Sequence, residues 1–348
     1  MTVILEWETV AVLNYRWRCF MGHSERSWRD QSAIFVLSLL VFLGAVAGIQ
    51  ADDGLDVTVP MFDVFPPPIS VQPESGEPDQ TRPGRAASYE EEVLELTNIE
   101  RWNNGQLPPL KGDGMLDSSS ETHSTNMAIR DFFAHCDLDT LTLPWDRMTA
   151  AGYNWNAAAE NIAAGYSNPS AVIAGWMASA GHRANILSTS YRELGVGYSY
   201  QAGDTGNVRE DPNGDCVADG TDGPWYRYWT QNFGRRNTVY PVVIDREAYE
   251  TDTVDVDLYL YGAGWATEMR IRNENGSFGT WQAFSADVAW QLSGGPGTKE
   301  VFVEIRNGGT VYGASDTIAS TAAATDLIFE DGFESGSTSG WDGTVGGS

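Results

Sequence analysis

Four motifs between residues 134 and 198 decide the fold of this chain: A-H-C (134–136), A-A-E-N-I-A-A-G-Y (158–166), G-W-M-A-S-A-G-H-R-A-N-I-L (175–187) and E-L-G-V-G-Y (193–198). The sequence contains only four histidines, and His135 and His182 lie in this stretch with Glu160 between them. Two imidazoles and a carboxylate from three separate segments meet only if the fold brings them together. That combination is what a metal site or an acid–base pocket requires.

The spacing of apolar residues predicts helices in the first half of the chain and strands after Gly181. Ser88 and Asn168 are suitable N-cap residues, and apolar side chains recur at helical spacing behind them. The predicted helices are Ser88–Trp102, Asp117–Phe133 and Pro169–Ser179, with a short helical turn over Pro144–Ala151. The alternation in 194–198 and 226–231 is typical of strands. The fold class is therefore predicted to be α+β.

Four more motifs occur around the first set: E-L-T-N-I-E-R (95–101), L-P-P-L (107–110), H-S-T-N-M-A (123–128) and Y-W-T-Q-N-F (228–233). In this order the motifs resemble the bacterial, SCP-like branch of the CAP superfamily, which comprises cysteine-rich secretory, antigen five and pathogenesis-related proteins. The resemblance covers residues 86–237. It implies an α-β-α sandwich with a central cleft.

The resemblance also implies which residues line that cleft, because family members carry two histidines and two acids there. The candidates in this chain are His135, Glu160, His182, Ser179, Glu193 and His123. Ser179 stands where the second acid is usual, so a two-carboxylate mechanism is weakened. His135 and His182 suit zinc, and Glu160 would orient one ring or polarise a bound water. The alternative is a structural hydrogen-bonded network.

An acidic insert over residues 204–223 interrupts the predicted strands. Its side-chain oxygens fall at positions one, three, five, nine and twelve of a calcium-loop pattern, at Asp211, Asn213, Asp215, Asp219 and Asp222. Cys216 replaces the glycine of that pattern, and Asp222 replaces its glutamate. A calcium site and a solvated acidic hairpin are therefore both open interpretations.

The N-terminal region resembles an export signal. Arg26 and Arg29 precede an apolar run of about fifteen residues that ends at Ala47. This run is short for a membrane span, which needs about 20 residues, so we expect cleavage and no stable span; a retained anchor is the alternative. Residues 1–51 are thus assigned to the signal, with an extended N-terminus before it, and 52–85 to a disordered proline-rich linker.

Export also bears on the three cysteines, Cys19, Cys136 and Cys216. Cys19 precedes the signal, so cleavage leaves an even pair in an oxidising compartment. This arithmetic favours a disulfide between Cys136 and Cys216, and two free thiols are the alternative. We expect a secreted, cell-surface or periplasmic protein.

Residues 240–320 are predicted to form a second, all-β domain. Val254, Val256, Leu258 and Leu260 alternate with polar residues, and the same period returns near residue 301. The region resembles the immunoglobulin-like sandwiches appended to exported bacterial proteins. Residues 321–348 are expected to be a flexible tail.

Composition limits the function further. The formal net charge of −27 repels nucleic acid, so DNA or RNA binding is excluded. No H-E-x-x-H, G-x-S-x-G or phosphate-loop motif occurs. We therefore expect an extracellular binding module for a metal, small molecule, lipid or peptide rather than an enzyme. A metal-assisted hydrolase and a purely structural surface protein are the alternatives.

Overall fold

The structure is a computed structural model that describes residues 56–57 and 87–323. The predicted signal, Cys19, most of the linker and residues 324–348 lie outside the described residues. The helices are α1 (Tyr89–Asn103), α2 (Gly114–Ile129), α3 (Pro144–Ala150), α4 (Pro169–Ala178) and α5 (Ala180–Leu187). None of these helices is long and apolar enough to cross a membrane.

The strands of the first domain are β1 (Asp56–Val57), β2 (Lys111–Gly112), β3 (Phe132–Phe133), β4 (Ala157–Ala164), β5 (Glu193–Tyr200), β6 (Val208–Glu210), β7 (Gly220–Asp222) and β8 (Arg227–Arg235). The central sheet has the order β1-β4-β8-β5-β2, and its three long strands are antiparallel. Strand β1 lies within residues 52–85, which were predicted to form a disordered linker. That prediction is wrong for Asp56 and Val57, because they pair with Ala157 and Ala158.

Alternate residues of the sheet pack against different helical layers. On one face, Ala159 and Trp229 join a core with residues of α1, α4 and α5. On the other face, Ala158 packs with Leu116 of α2 and Met148 of α3. This three-layer arrangement follows from strand geometry, because successive side chains point to opposite faces. It places Glu160 on the α2 and α3 side of β4.

Helix α2 packs directly on the backbone of β5, where glycines allow the close approach. A Cβ on Gly195 would lie 2.1 Å from the carbonyl carbon of Leu116, and one on Gly197 would lie 2.2 Å from that of Ser120. Ser120 and Ser124 donate to the carbonyl oxygens of Gly195 and Gly197 at 3.1 and 3.0 Å. The two glycines of the E-L-G-V-G-Y motif therefore form the surface of β5 on which α2 packs.

We expect Gly195→Ala to destabilise the fold by at least ~1–3 kcal/mol, the usual cost of overpacking, because the added methyl meets main chain that cannot rotate away. Gly203→Ala is the matched control, since nothing lies within 4 Å of a Cβ there. The free energies of unfolding, measured in urea, test this. Equal values for the two variants would contradict the close contact.

Two sequence expectations about helices are wrong in detail. Helix α2 begins at Gly114 and ends at Ile129, rather than spanning Asp117–Phe133, because Asp113 caps it through the amides of Met115 and Leu116. Residues 180–187 form α5, where strands were expected after Gly181. Ser179 caps this helix, and its apolar residues come only at its end, so no helical period is visible.

The region from β9 onward is all-β, as predicted. Its strands are β9 (Val242–Ile244), β10 (Glu250–Thr251), β11 (Asp255–Leu260), β12 (Glu268–Asn273), β13 (Gln282–Ala283), β14 (Asp287–Gln291), β15 (Gly297–Asn307) and β16 (Thr310–Ser320). They form a sheet of order β10-β16-β15-β12-β13 and another of order β14-β11-β9. Inward side chains of both sheets share one core.

The two domains are in direct polar contact. Lys111 Nζ donates to Glu247 Oε1 at 2.9 Å and to Asp316 Oδ1 at 2.6 Å. Tyr261 Oη donates to the Pro109 carbonyl at 3.0 Å. Because Lys111 and Pro109 precede α2 while the other residues belong to the C-terminal all-β region, these bonds join the domains.

The acidic insert is a hairpin fastened to the first domain. Strand β6 pairs with β3 and with β7, and Cys216 is bonded to Cys136 with a Cα–Cα distance of 5.5 Å. The predicted disulfide is confirmed. It attaches the insert one residue away from His135.

Candidate functional site

Glu160 is the centre of the candidate site. It lies on β4, is only 2% exposed, and uses both carboxylate oxygens. His135 Nδ1 donates to Oε1 at 2.8 Å, and Arg147 Nη2 donates to Oε2 at 2.7 Å. Helix α3 thus supplies the cation and the 134–136 segment supplies the imidazole. Arg147 Nη1 also donates to the Thr142 carbonyl at 2.9 Å, which ties the loop after His135 to the same guanidinium.

Asn232 supplies a further contact from β8, where it is paired with Glu160. Its amide satisfies its neighbours when Nδ2 points to Glu160 Oε2 at 3.0 Å and the oxygen accepts from the Ser119 hydroxyl at 3.0 Å. The opposite orientation would direct the amide oxygen at the carboxylate. Glu160 is therefore surrounded by donors, as a buried carboxylate requires.

These donors keep Glu160 ionised. Burial by itself would raise the pKa of this carboxyl, but the Arg147 charge, followed by His123 and His135, lowers the pKa to about 2. An ionised carboxylate only accepts hydrogen bonds. The proton between the two side chains consequently resides on His135 Nδ1.

This bond fixes the tautomer of His135. With a proton on Nδ1, the neutral ring carries its lone pair on Nε2. The side chain of His135 is 20% exposed, whereas those of Glu160 and Arg147 are 1% and 6% exposed. The group therefore offers one oriented, water-accessible imidazole backed by a buried ion pair.

His123 belongs to the same group but is not accessible. It is fully buried on α2, its Nε2 donates to the Ala134 carbonyl at 2.9 Å, and the same nitrogen lies 3.9 Å from Glu160 Oε1. Burial, and then the Arg147 charge, lower the pKa of His123 to about 3. The ring is thus neutral at physiological pH, and it is in contact with the main chain rather than with solvent.

Ser179 caps α5 and His182 lies in its first turn, next to β4. The Asn161 amide donates to the His182 carbonyl at 3.2 Å, and Asn161 points away from the face on which Glu160 lies. His182 is 7% exposed. The Ser179 hydroxyl accepts from the His182 amide, so Ser179 acts as the helix cap.

Glu193 lies in a different polar group. Its carboxylate accepts from Tyr153 Oη at 2.7 Å and pairs with Arg236, which also binds Asp113 at 2.7 Å. Hydrogen bonds and ion pairs thus connect His135 and His123 to Glu160, together with Arg147 and Asn232. Glu193 has its own partners.

In the acidic insert, the Asp211 carboxylate accepts from the main-chain amides of Gly214, Asp215 and Cys216. Asn213 donates to Asp219 at 2.6 Å, and Asp222 is paired with Val208 in the hairpin. Within residues 87–323, no group of three or more histidines, cysteines or acids is arranged to hold a metal. The zinc and calcium sites stay predictions.

Arg147 and Asn232 were not among the residues predicted from the sequence. Strand alternation in Y-W-T-Q-N-F places Asn232 on the same face as Tyr228, so that signal was present in the sequence. Arg147 had no such signal, because P-W-D-R indicates only a short helix. Its role comes from the packing of α3 on β4.

Comparison with known proteins identifies the first domain. The family model described as the cysteine-rich secretory protein family, CAP, matches residues 94–233. The uncharacterized protein YkwD of Bacillus subtilis (strain 168) is 40% identical over 116 residues, which are 33% of this chain and 44% of that protein. The uncharacterized membrane protein YlbC of the same organism is 34% identical over 108 residues, 31% of each chain.

Among solved structures, an extracellular protein containing an SCP domain from Bacillus anthracis str. Ames is 30% identical. The alignment covers 42% of this chain and 40% of that chain, with a TM-score of 0.33. The match with each of these relatives spans less than half of the relative's length. Residues 94–233, which hold His135, Glu160 and His182, therefore belong to the CAP, or cysteine-rich secretory protein, family.

Proposed function

We propose that this chain is exported and acts outside the cell as a binding protein, with His135 as the CAP-domain residue that contacts the ligand. The observation that carries the proposal is the 2.8 Å hydrogen bond from His135 Nδ1 to the ionised Glu160. A carboxylate that accepts from one ring nitrogen orients the other nitrogen toward a metal or ligand. Arg147 and Asn232 hold that carboxylate in place, so the ring is preorganised.

Two features support the extracellular location. The Cys136–Cys216 bond requires an oxidising compartment to persist. The apolar run after Arg29 has the form of an export signal. We also propose that the C-terminal all-β region is an immunoglobulin-like module, since its two sheets pack around one core.

Zinc is the metal that this donor set favours. His135 suits it as a carboxylate-oriented imidazole, and the motif adds His182 as the second. His123 does not fit, because its Nε2 is bonded to the Ala134 carbonyl in a fully buried position. When bound, zinc would supply a Lewis acid with positions open to water or ligand atoms.

Zinc titration of the full chain by calorimetry tests the proposal. We expect His135→Ala to abolish binding and Glu160→Gln to weaken it about 10–100-fold, the usual effect of losing a group that orients a ligand. Glu121→Gln is the matched control, because it removes the same charge from an exposed position of α2 and is expected to leave the affinity unchanged.

The double variant His135→Ala, His182→Ala separates binding from a structural role. If it loses stability while the zinc isotherm remains that of the wild type, the binding proposal is overturned. The structural alternative would then account for both histidines.

Hydrolysis is the second candidate function, and the Glu160–His135 pair favours it. A carboxylate that holds an imidazole in one tautomer prepares the imidazole to act as the general base that activates a nucleophile. A hydrolase would lose peptide or ester cleavage in Glu160→Gln while keeping the fold. Ligand binding without turnover in the wild type would exclude this function.

A further inference from the structure

We infer that His123 is a positioning residue for His135 and acts through the carbonyl group of Ala134. The inference deepens the proposed function, because it names a residue that sets the geometry of the proposed ligand contact without touching the ligand. It rests on three features of His123: one hydrogen bond, its burial and one unsatisfied nitrogen.

The hydrogen bond reaches the residue immediately before His135. His123 Nε2 lies 2.9 Å from the Ala134 carbonyl oxygen, and the partners are 11 residues apart in sequence. Since a carbonyl oxygen only accepts, Nε2 carries the proton. Residues 134–136 are outside β3, so this side chain holds the main chain at a point where the β3–β6 ladder has ended.

The bond is one of three anchors on a short segment. Ala134 is held by α2, the His135 ring is held by Glu160, and Cys136 is held by the disulfide to the insert. The His123 bond acts on the carbonyl of the peptide group that joins Ala134 to His135. It therefore sets the direction from which the imidazole approaches Glu160.

The unsatisfied nitrogen argues that this bond is the reason for a histidine at position 123. His123 Nδ1 is buried and has no hydrogen-bond partner among the described residues. A buried polar atom without a partner carries a desolvation cost that an apolar side chain would avoid. Histidine at position 123 carries this cost at Nδ1. The hydrogen bond from Nε2–H to the Ala134 carbonyl is the interaction that offsets it.

The distance between His123 Nε2 and Glu160 supports the same inference. Glu160 Oε1 is 3.9 Å from His123 Nε2 but 2.8 Å from His135 Nδ1. His123 is therefore too far away to compete for that oxygen, and its proton is directed to Ala134. The carboxylate remains available to orient His135.

Nitrogen-15 NMR of the His135 imidazole in the full chain, without any ligand, tests the inference. The comparison uses wild type, His123→Gln, whose amide places a donor near the Nε2 position, and His123→Leu, which has none. We expect wild type and His123→Gln to give the Nδ1–H tautomer signals of His135. In His123→Leu we expect those signals to shift toward averaged tautomers, with zinc affinity about 10-fold weaker.

Unchanged His135 signals in His123→Leu would overturn the inference, as would identical shifts in both variants, because packing alone would then explain His123. Near-ultraviolet circular dichroism checks that each variant is folded. Should His123→Leu fail to fold, His123→Asn replaces it, since its shorter amide cannot reach Ala134. The tautomer is read without zinc, so a wild type that binds no zinc would refute the proposed function and leave this test intact.

Discussion

Replacing Glu160 with glutamine is expected to lower the free energy of unfolding by about 3–5 kcal/mol, the usual cost of breaking a buried ion pair on one side. The reason is Arg147, whose side chain is 6% exposed and would keep its charge without a counter-charge 2.7 Å away. His135 would lose its acceptor at the same time. Urea unfolding of the variant and the wild type at neutral pH measures the difference.

The pH dependence of this loss has a definite sign. Glu160 has a folded pKa of about 2 against an ordinary value of 4.5, so the folded state favours the ionised form. The stabilisation is complete above pH 4.5 and is lost as pH falls toward 2. That pKa difference corresponds to roughly 3 kcal/mol, so the gap between wild type and Glu160→Gln should close across this range.

Glu121→Gln controls for the loss of charge alone, since Glu121 is exposed on α2. We expect it to change stability by less than ~0.5 kcal/mol at either pH, as surface substitutions do. A gap between wild type and Glu160→Gln that stays constant down to pH 2 would contradict the buried pair. Burial lowers the pKa of His123 to about 3, so protonation of His123 also destabilises both proteins at low pH.

The sequence predicts the parts of this site that local patterns determine. His135 and Glu160 follow from motifs, and the disulfide follows from the parity of the cysteines. The opposite orientation of Glu160 and Asn161 follows from strand alternation. His182 also follows from a motif, and its main-chain carbonyl accepts from the Asn161 amide on β4.

The remaining contacts depend on tertiary packing, which no window of sequence reports. Arg147 reaches Glu160 only because α3 packs on β4, and Asn232 reaches it only because β4 and β8 pair in that register. Helix α5 was missed for a related reason. Its stability comes from a serine cap and from Ile186 in the core, rather than from a periodic apolar face.

Removing the disulfide is expected to have an effect of similar size through the unfolded state. Cys136 and Cys216 are 80 residues apart, and closing a loop of that length stabilises a fold by about 4 kcal/mol in the chain-entropy account. We expect the double variant Cys136→Ser, Cys216→Ser to lose about that much. Wild type treated with a dithiol reductant should unfold at the same urea concentration as the variant, and the variant should not respond to the reductant. The insert is also held by the β3–β6 pairing and by the Arg209–Asp139 bond at 2.9 Å. If reduction leaves the wild-type transition unchanged, those contacts alone fix the insert beside His135, and the disulfide contributes nothing to stability.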